Sequence, residues 1–266
     1  MRKRWIALAV LTLSVGACGS ETDAQREVMV FAAASLRDAM LAIEAPFETE
    51  TGVDVVFNFA GSNVLAQQIV AAPGADVYLS ASTRWMDTVA DAGRVVAGTR
   101  QVVLTNTLAV VAHPRSTWTL DAPCDLAGLG FTYLALGDPA AVPAGRYARD
   151  WLSAQSCNGR SLWQAVEGRV APSPDVRAAL GLVLAEPDLV GIVYKTDYLA
   201  FAEETRLLYE APAVAGPPIQ YALAQIADGP HPDAARRFLA YLTGETARRH
   251  FEAHGFTMLP DAPGNR

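Results

Sequence analysis

The chain has 266 residues, 51% of them hydrophobic, and 21 Lys and Arg against 28 Asp and Glu give it a formal net charge of −7. That length and apolar content can bury one large core or two modest ones. The acidic balance excludes nucleic acid as a partner, because gripping its phosphates needs clustered Lys and Arg.

Arg2, Lys3 and Arg4 precede an apolar run over 5–15, followed by Gly16, Ala17 and Cys18. The run is shorter than the ~20 residues of a membrane-spanning helix, so 1–17 reads as an export signal. Val15-Gly16-Ala17-Cys18 resembles a bacterial lipobox, in which Cys18 is acylated and becomes the first residue of the mature protein. Ordinary cleavage nearby, with Cys18 lost or left free, is the alternative. Residues 18–27 form a short polar tether. Loss of 1–17 removes three cations and no acid, so the mature chain is more acidic still. No later segment is long and apolar enough to span a bilayer.

Strand patterns at 28–31, 53–59 and 75–80 alternate with amphipathic helix patterns at 36–50, 64–71 and 85–92. This βαβ repetition predicts an α/β fold with a mostly parallel sheet flanked by helices. The run 101–112 is long enough to leave one sheet and enter another. Beyond it come a strand at 131–136, helices at about 145–154, 161–167 and 175–185, and a strand at 190–194. A second long apolar run, 219–226, follows the loop 211–218, and helices at about 232–242 and 244–254 end the chain. Two long runs bracketing a middle segment predict two lobes joined by two crossover strands. The division expected is 28–106 with 222–266 in one lobe and 107–221 in the other.

Several strand-to-helix junctions carry a small or hydroxyl residue and no cation at the junction itself. A helix N-terminus offers N–H groups without intrahelical partners and the positive end of the dipole, so such junctions can hold an anion. Ser35 follows the first strand, at the carboxyl end where open α/β sheets bind ligands. Ser35-Leu36-Arg37-Asp38 also fits a capping box, so Ser35 serves either its own helix or a ligand. Ser62 follows the second strand, with Leu65 where a capping acid would stand and Gly61 permitting close backbone approach. In the second half, Pro143 suits a first helical turn, and Ala144 and Val176 can offer only main-chain N–H groups. Tyr194 ends the strand 190–194, where its phenol either completes the core or donates into the cleft.

Phe31-Ala32-Ala33-Ala34-Ser35-Leu36, Ala75-Asp76-Val77-Tyr78-Leu79-Ser80-Ala81 with Trp85-Met86, Gly137-Asp138-Pro139 with Val142-Pro143-Ala144-Gly145, Asp175-Val176-Arg177, and Gly191-Ile192-Val193-Tyr194 resemble the motifs of the molybdate-binding proteins of molybdate ABC transporters. The ordered set spans about 28–256. The resemblance implies a two-lobed class II periplasmic binding protein that closes on molybdate or tungstate and catalyses nothing. By motif position the ligand contacts fall on Ser35 and Ser62 in one lobe and on Ala144, Val176 and Tyr194 in the other. Molybdenum would be held through its oxo groups, with no cofactor and no His or Cys ligand. The partners implied are permease and ATPase subunits. The protein is expected to be a monomer in the periplasm or at the cell surface, on the membrane through its lipid anchor alone. Gly61 and Asn63 depart from the hydroxyl residues common beside Ser62 in the family, and Lys195 replaces a small residue.

Neutral donors suit such a ligand, because a tetrahedral dianion without protons needs donors only. Hydrogen phosphate carries a proton that such a site would leave unaccepted. Sulfate differs from the metal oxyanions in size, which the sequence leaves open. An organic carboxylate would recruit an arginine fork, and Arg146 and Arg177 are the candidates for one. An exported hydrolase is the rival from another class; no G-x-S-x-G elbow supports it. His250 and His254 share an i, i+4 spacing that could bind a metal, but no third ligand is evident. Cys124 and Cys157 are a disulfide candidate in an oxidising compartment, with two buried thiols as the alternative.

Overall fold

The computed structural model describes residues 27–212 and 218–260. The export signal 1–17, Cys18 and the tether up to residue 26 lie outside the described residues.

The first unit opens as expected from its alternating patterns: β1 (Glu27–Ala33), α1 (Arg37–Thr51), β2 (Asp54–Ala60), α2 (Ser62–Ala71), β3 (Val77–Ser80) and α3 (Thr83–Asp91). The long run 101–112 then splits at Thr107 into β4 (Gln101–Asn106) and β5 (Leu108–Ala112), which lie in different sheets. The second unit continues with β6 (Tyr133–Gly137), α4 (Pro143–Ala154), the hairpin β7 (Ser156–Cys157) and β8 (Arg160–Ser161), and α5 (Leu162–Val166). It ends with β9 (Val170–Ser173), α6 (Val176–Ala185), β10 (Leu189–Tyr194), α7 (Lys195–Ala200) and β11 (Arg206–Glu210). The chain returns as β12 (Ile219–Gln225), α8 (Pro232–Leu242), α9 (Glu245–Ala253) and β13 (Thr257–Met258).

Among the described residues the first sheet has the order β13-β4-β12-β3-β1-β2 and the second β11-β5-β10-β6-β9. Parallel pairing holds for β2-β1-β3 and for β10-β6-β9. β12 runs antiparallel to β3 and β4, and β5 antiparallel to β10 and β11. The sheets are therefore mixed, and the route of the chain explains it. β5 and β12 start where the units meet, so they run against the strands that end there.

The return to the first sheet comes earlier than residue 222. Ile219 already pairs with Asn106 and Tyr221 with Leu104, so 219–221 belong to the first sheet. The crossing falls between β11 and β12 because the apolar run 219–226 stays in one sheet throughout.

Two local details position the site. A 3-10 turn over Ala34–Leu36 precedes α1, with no side-chain hydrogen bond capping either. The expected capping box of Ser35 and Asp38 therefore does not form, and both side chains are free for other partners. At the start of α4, a Cβ on Gly145 would lie 1.7 Å from the Gly137 carbonyl oxygen. Only glycine lets that first turn pack onto the end of β6. Away from the junctions, a disulfide between Cys124 and Cys157, Cα atoms 5.6 Å apart, ties the turn Pro123–Gly128 to β7.

Candidate functional site

The ends of β1, β2 and β3 face the first turns of α4 and α6 and the end of β10. Between them lies a small cavity lined by Ser35, Ser62, Ala144, Val176 and Tyr194 together with Ala33, Ala34, Gly61, Ala81, Val142, Pro143 and Asp175. All five residues singled out in the sequence are thus brought to one place. No Lys, Arg or His lines the cavity among the described residues.

Each serine hydroxyl arrives with one hydrogen bond already made. Ser62 Oγ accepts the Ala81 N–H at 3.0 Å, so its own proton is left to donate. Ser35 Oγ lies 3.0 Å from Tyr221 Oη, and Asn106 Nδ2 donates to that same phenol oxygen at 3.2 Å. With Asn106 donating in, the Tyr221 proton can turn to Ser35, which frees the Ser35 proton for the cavity. Both serines are at most 3% exposed, which strengthens these polar contacts by excluding water.

Tyr194 is 1% exposed, and its Oη has no hydrogen-bond partner within the protein. Burial, reinforced by neighbouring Tyr221, pushes its phenol pKa well up, so the group stays protonated and can only gain by donating. An orphaned buried hydroxyl costs about 1 to 3 kcal/mol, and a ligand oxygen in the cavity would satisfy it.

The main chain offers further donors. Ala144 and Val176 stand in the first turns of α4 and α6, where N–H groups have no acceptor inside the helix. Asp175, the one carboxylate at the cavity, turns Oδ1 to the Arg177 and Ala178 N–H groups at 2.8 and 2.9 Å. It thereby caps α6 through those two groups and not through the Val176 N–H.

The cations lie elsewhere. Arg177 donates from Nε to Asp197 Oδ1 at 2.5 Å and from Nη2 to Asp38 Oδ2, and Arg146 does not line the cavity. The arginine fork that an organic carboxylate would need is therefore not formed here. Lys195 bonds Glu210 at 2.8 Å. His254 Nδ1 meets the His250 carbonyl oxygen at 2.7 Å, and no cluster of metal-ligating side chains occurs among the described residues.

The sequence reading missed Tyr221, Asn106 and Asp197. Tyr221 sits within an apolar strand and looks like core, and only the fold brings it to Ser35, 186 residues away. Asp197 stands three residues after Tyr194 and accepts its N–H at 3.2 Å. An acid three residues after an N-cap position can reach back to the N-cap N–H, and that spacing could have been found.

The chain also resembles known proteins in sequence and in fold. The sequence profile of bacterial extracellular solute-binding proteins matches residues 28–257. The molybdate-binding protein ModA of Escherichia coli (strain K12) is 36% identical over 263 residues, 97% of this chain and 100% of that protein. ModA of Haemophilus influenzae is 32% identical over 252 residues, 92% of this chain and 95% of that one. The structure of the periplasmic molybdate-binding protein of Azotobacter vinelandii superposes with a TM-score of 0.77 over 88% of this chain and 100% of that chain, at 20% identity, a likeness of fold. With a profile match over most of its length and ModA relatives aligned nearly end to end, this chain belongs to the bacterial extracellular solute-binding proteins.

Proposed function

We propose that this chain captures molybdate or tungstate between two lobes and delivers it to the permease of an ABC transporter. The reading rests on the ModA relatives and on one observation above all. The Tyr194 hydroxyl is buried without a partner in a cavity where Ser35 and Ser62 can also donate. With the Ala144 and Val176 N–H groups, five uncharged donors belong to residues lining one cavity. Each hydrogen bond to a charged group contributes about 1.5 to 3 kcal/mol net, enough together to offset the anion's desolvation. The proton of hydrogen phosphate would meet donors on most sides, which weakens phosphate relative to a bare dianion.

The donors come from both units, so the ligand stabilises the closed arrangement by its differential affinity. The lobes proposed are the two sheet units, with a hinge at Thr107 between β4 and β5. Closure is then the state the permease recognises. The chain acts as a transport component and not as a catalyst, in keeping with its family. Export through 1–17 and acylation at Cys18 complete the proposal and place the protein on a bacterial membrane as a monomer held by its lipid.

A thermal-shift and calorimetric panel of molybdate, tungstate, sulfate and phosphate tests the ligand, since a specific ligand raises apparent stability by linkage. Stabilisation by molybdate and tungstate above the other two is expected. Equal response to phosphate, or response to none, refutes the proposal. For the anchor, mass spectrometry of protein from native membranes should find an acylated Cys18 at the mature N-terminus; an unmodified one rejects it.

A further inference from the structure

The Arg177 side chain does not line the anion cavity, yet it joins the two units beside it. Arg177 leaves α6 of the second unit and is held through Nε by Asp197 in α7 of that same unit. Its Nη2 reaches across to Asp38 in α1 of the first unit. Both ends abut the site, because Arg177 directly follows Val176 and Asp38 stands three residues after Ser35. The Asp197 side chain is 0% exposed and that of Arg177 16%, against 38% for Asp38. The inner pair therefore fixes the guanidinium, and the outer pair is the one that parts if the units separate.

Resting on the oxyanion reading above, we infer that Arg177 and Asp38 form a latch that holds the units together over the bound anion and slows its release. Arg177 is a positioning residue here, since it acts on closure and touches no ligand atom. Other contacts cross the same gap, and two of them flank the anion cavity. Trp85 Nε1 donates to the Ala141 carbonyl oxygen at 2.9 Å, and Gly61 packs so closely that a Cβ there would lie 2.8 Å from the Pro174 carbonyl oxygen. Those two are neutral contacts. Among the described residues that ion pair alone carries charge across the boundary, so it adds its own salt dependence to release.

Asp38→Asn tests the latch without endangering the fold, because Arg177 keeps its buried partner Asp197. Stopped-flow tryptophan fluorescence of the full chain would follow molybdate release from wild type, Asp38→Asn and Asp38→Glu. Release about three- to fivefold faster in Asp38→Asn is expected, as suits a partly exposed pair, with the association rate unchanged. Asp38→Glu should restore slow release, and added salt should speed release from wild type more than from Asp38→Asn. Equal or slower release from Asp38→Asn, with molybdate still bound, overturns the latch and leaves the ligand reading standing. If wild type binds no molybdate, the ligand reading fails instead. Small-angle scattering of the free protein then decides the latch: a more extended Asp38→Asn supports it, and superimposable profiles overturn it.

Discussion

Tyr194 and Tyr221 pack with ring centroids 5.9 Å apart and planes tilted by 57°, yet their hydroxyls differ. Tyr221 Oη is held by Ser35 and Asn106, whereas Tyr194 Oη has no partner in the protein. Removing the orphaned hydroxyl should act in opposite directions on folding and on binding. Tyr194→Phe deletes an unsatisfied buried group, so the ligand-free protein should melt no lower than wild type. The same change removes one donor to a charged ligand, and molybdate affinity should fall at least about tenfold. Melting curves and calorimetry on the one variant check both signs. Wild-type affinity would take Tyr194 out of the site.

Tyr221→Phe addresses the relay from Asn106 through Tyr221 to Ser35. The variant keeps the ring and its edge contact with Phe256 but leaves the Ser35 proton free to turn away from the cavity. A neutral hydrogen bond is worth about 1 kcal/mol, so affinity should drop about fivefold, less than in Ser35→Ala, which removes the donor itself. Equal losses in the two variants, measured by calorimetry, would contradict that ordering.

The parts of this arrangement that were legible in the sequence share one property: each signal is local. A strand ending in Ser35 or Ser62, Pro143 opening a helix, and Tyr194 closing an apolar strand are patterns of a few residues, and the fold needed only to gather them. The edge strands β9 and β11 were not anticipated. Both are short, and β9 contains Pro172, which argues against a strand unless it lies at a sheet edge, as it does. The supporting shell was equally hidden, because it is built from long-range pairs. Tyr221 with Ser35, Arg177 with Asp38 and Asn106 with Thr196 are separated by 186, 139 and 90 residues. The Ser35 capping box misled for the converse reason. A sound local pattern lost to tertiary partners when Asp38 turned to Arg177 and Ser35 to Tyr221.

The Cys124–Cys157 disulfide closes a loop of sequence separation 33, remote from the anion cavity. In the chain-entropy picture a loop of that size is worth about 4 kcal/mol. Reduction, or replacement of both cysteines by serine, should lower the melting temperature while leaving oxyanion affinity near that of the intact protein. Thermal melts and calorimetry with and without reductant check this; a large loss of affinity would mean that the second unit needs the bridge to shape its binding turns.

Asp197 makes a pH prediction with a definite sign. Burial lifts its carboxyl from 3.8 to about 6, although Arg177 and the Tyr194 N–H both favour the ionised form. The folded chain therefore binds this proton more tightly than the unfolded chain does. The resulting stabilisation is fully present below the unfolded value, near 4, and is lost as the pH rises through about 6. The difference between the two values corresponds to about 3 kcal/mol. Asp197→Asn cannot titrate, and it also leaves Arg177 with one partner fewer, so the variant should be less stable at every pH. What separates the two effects is the slope: between about pH 4 and pH 7 the wild type should lose on the order of 3 kcal/mol relative to the variant. Denaturant titrations of both proteins across that range measure it, and a constant gap would show that the buried carboxyl titrates as it does in the unfolded chain.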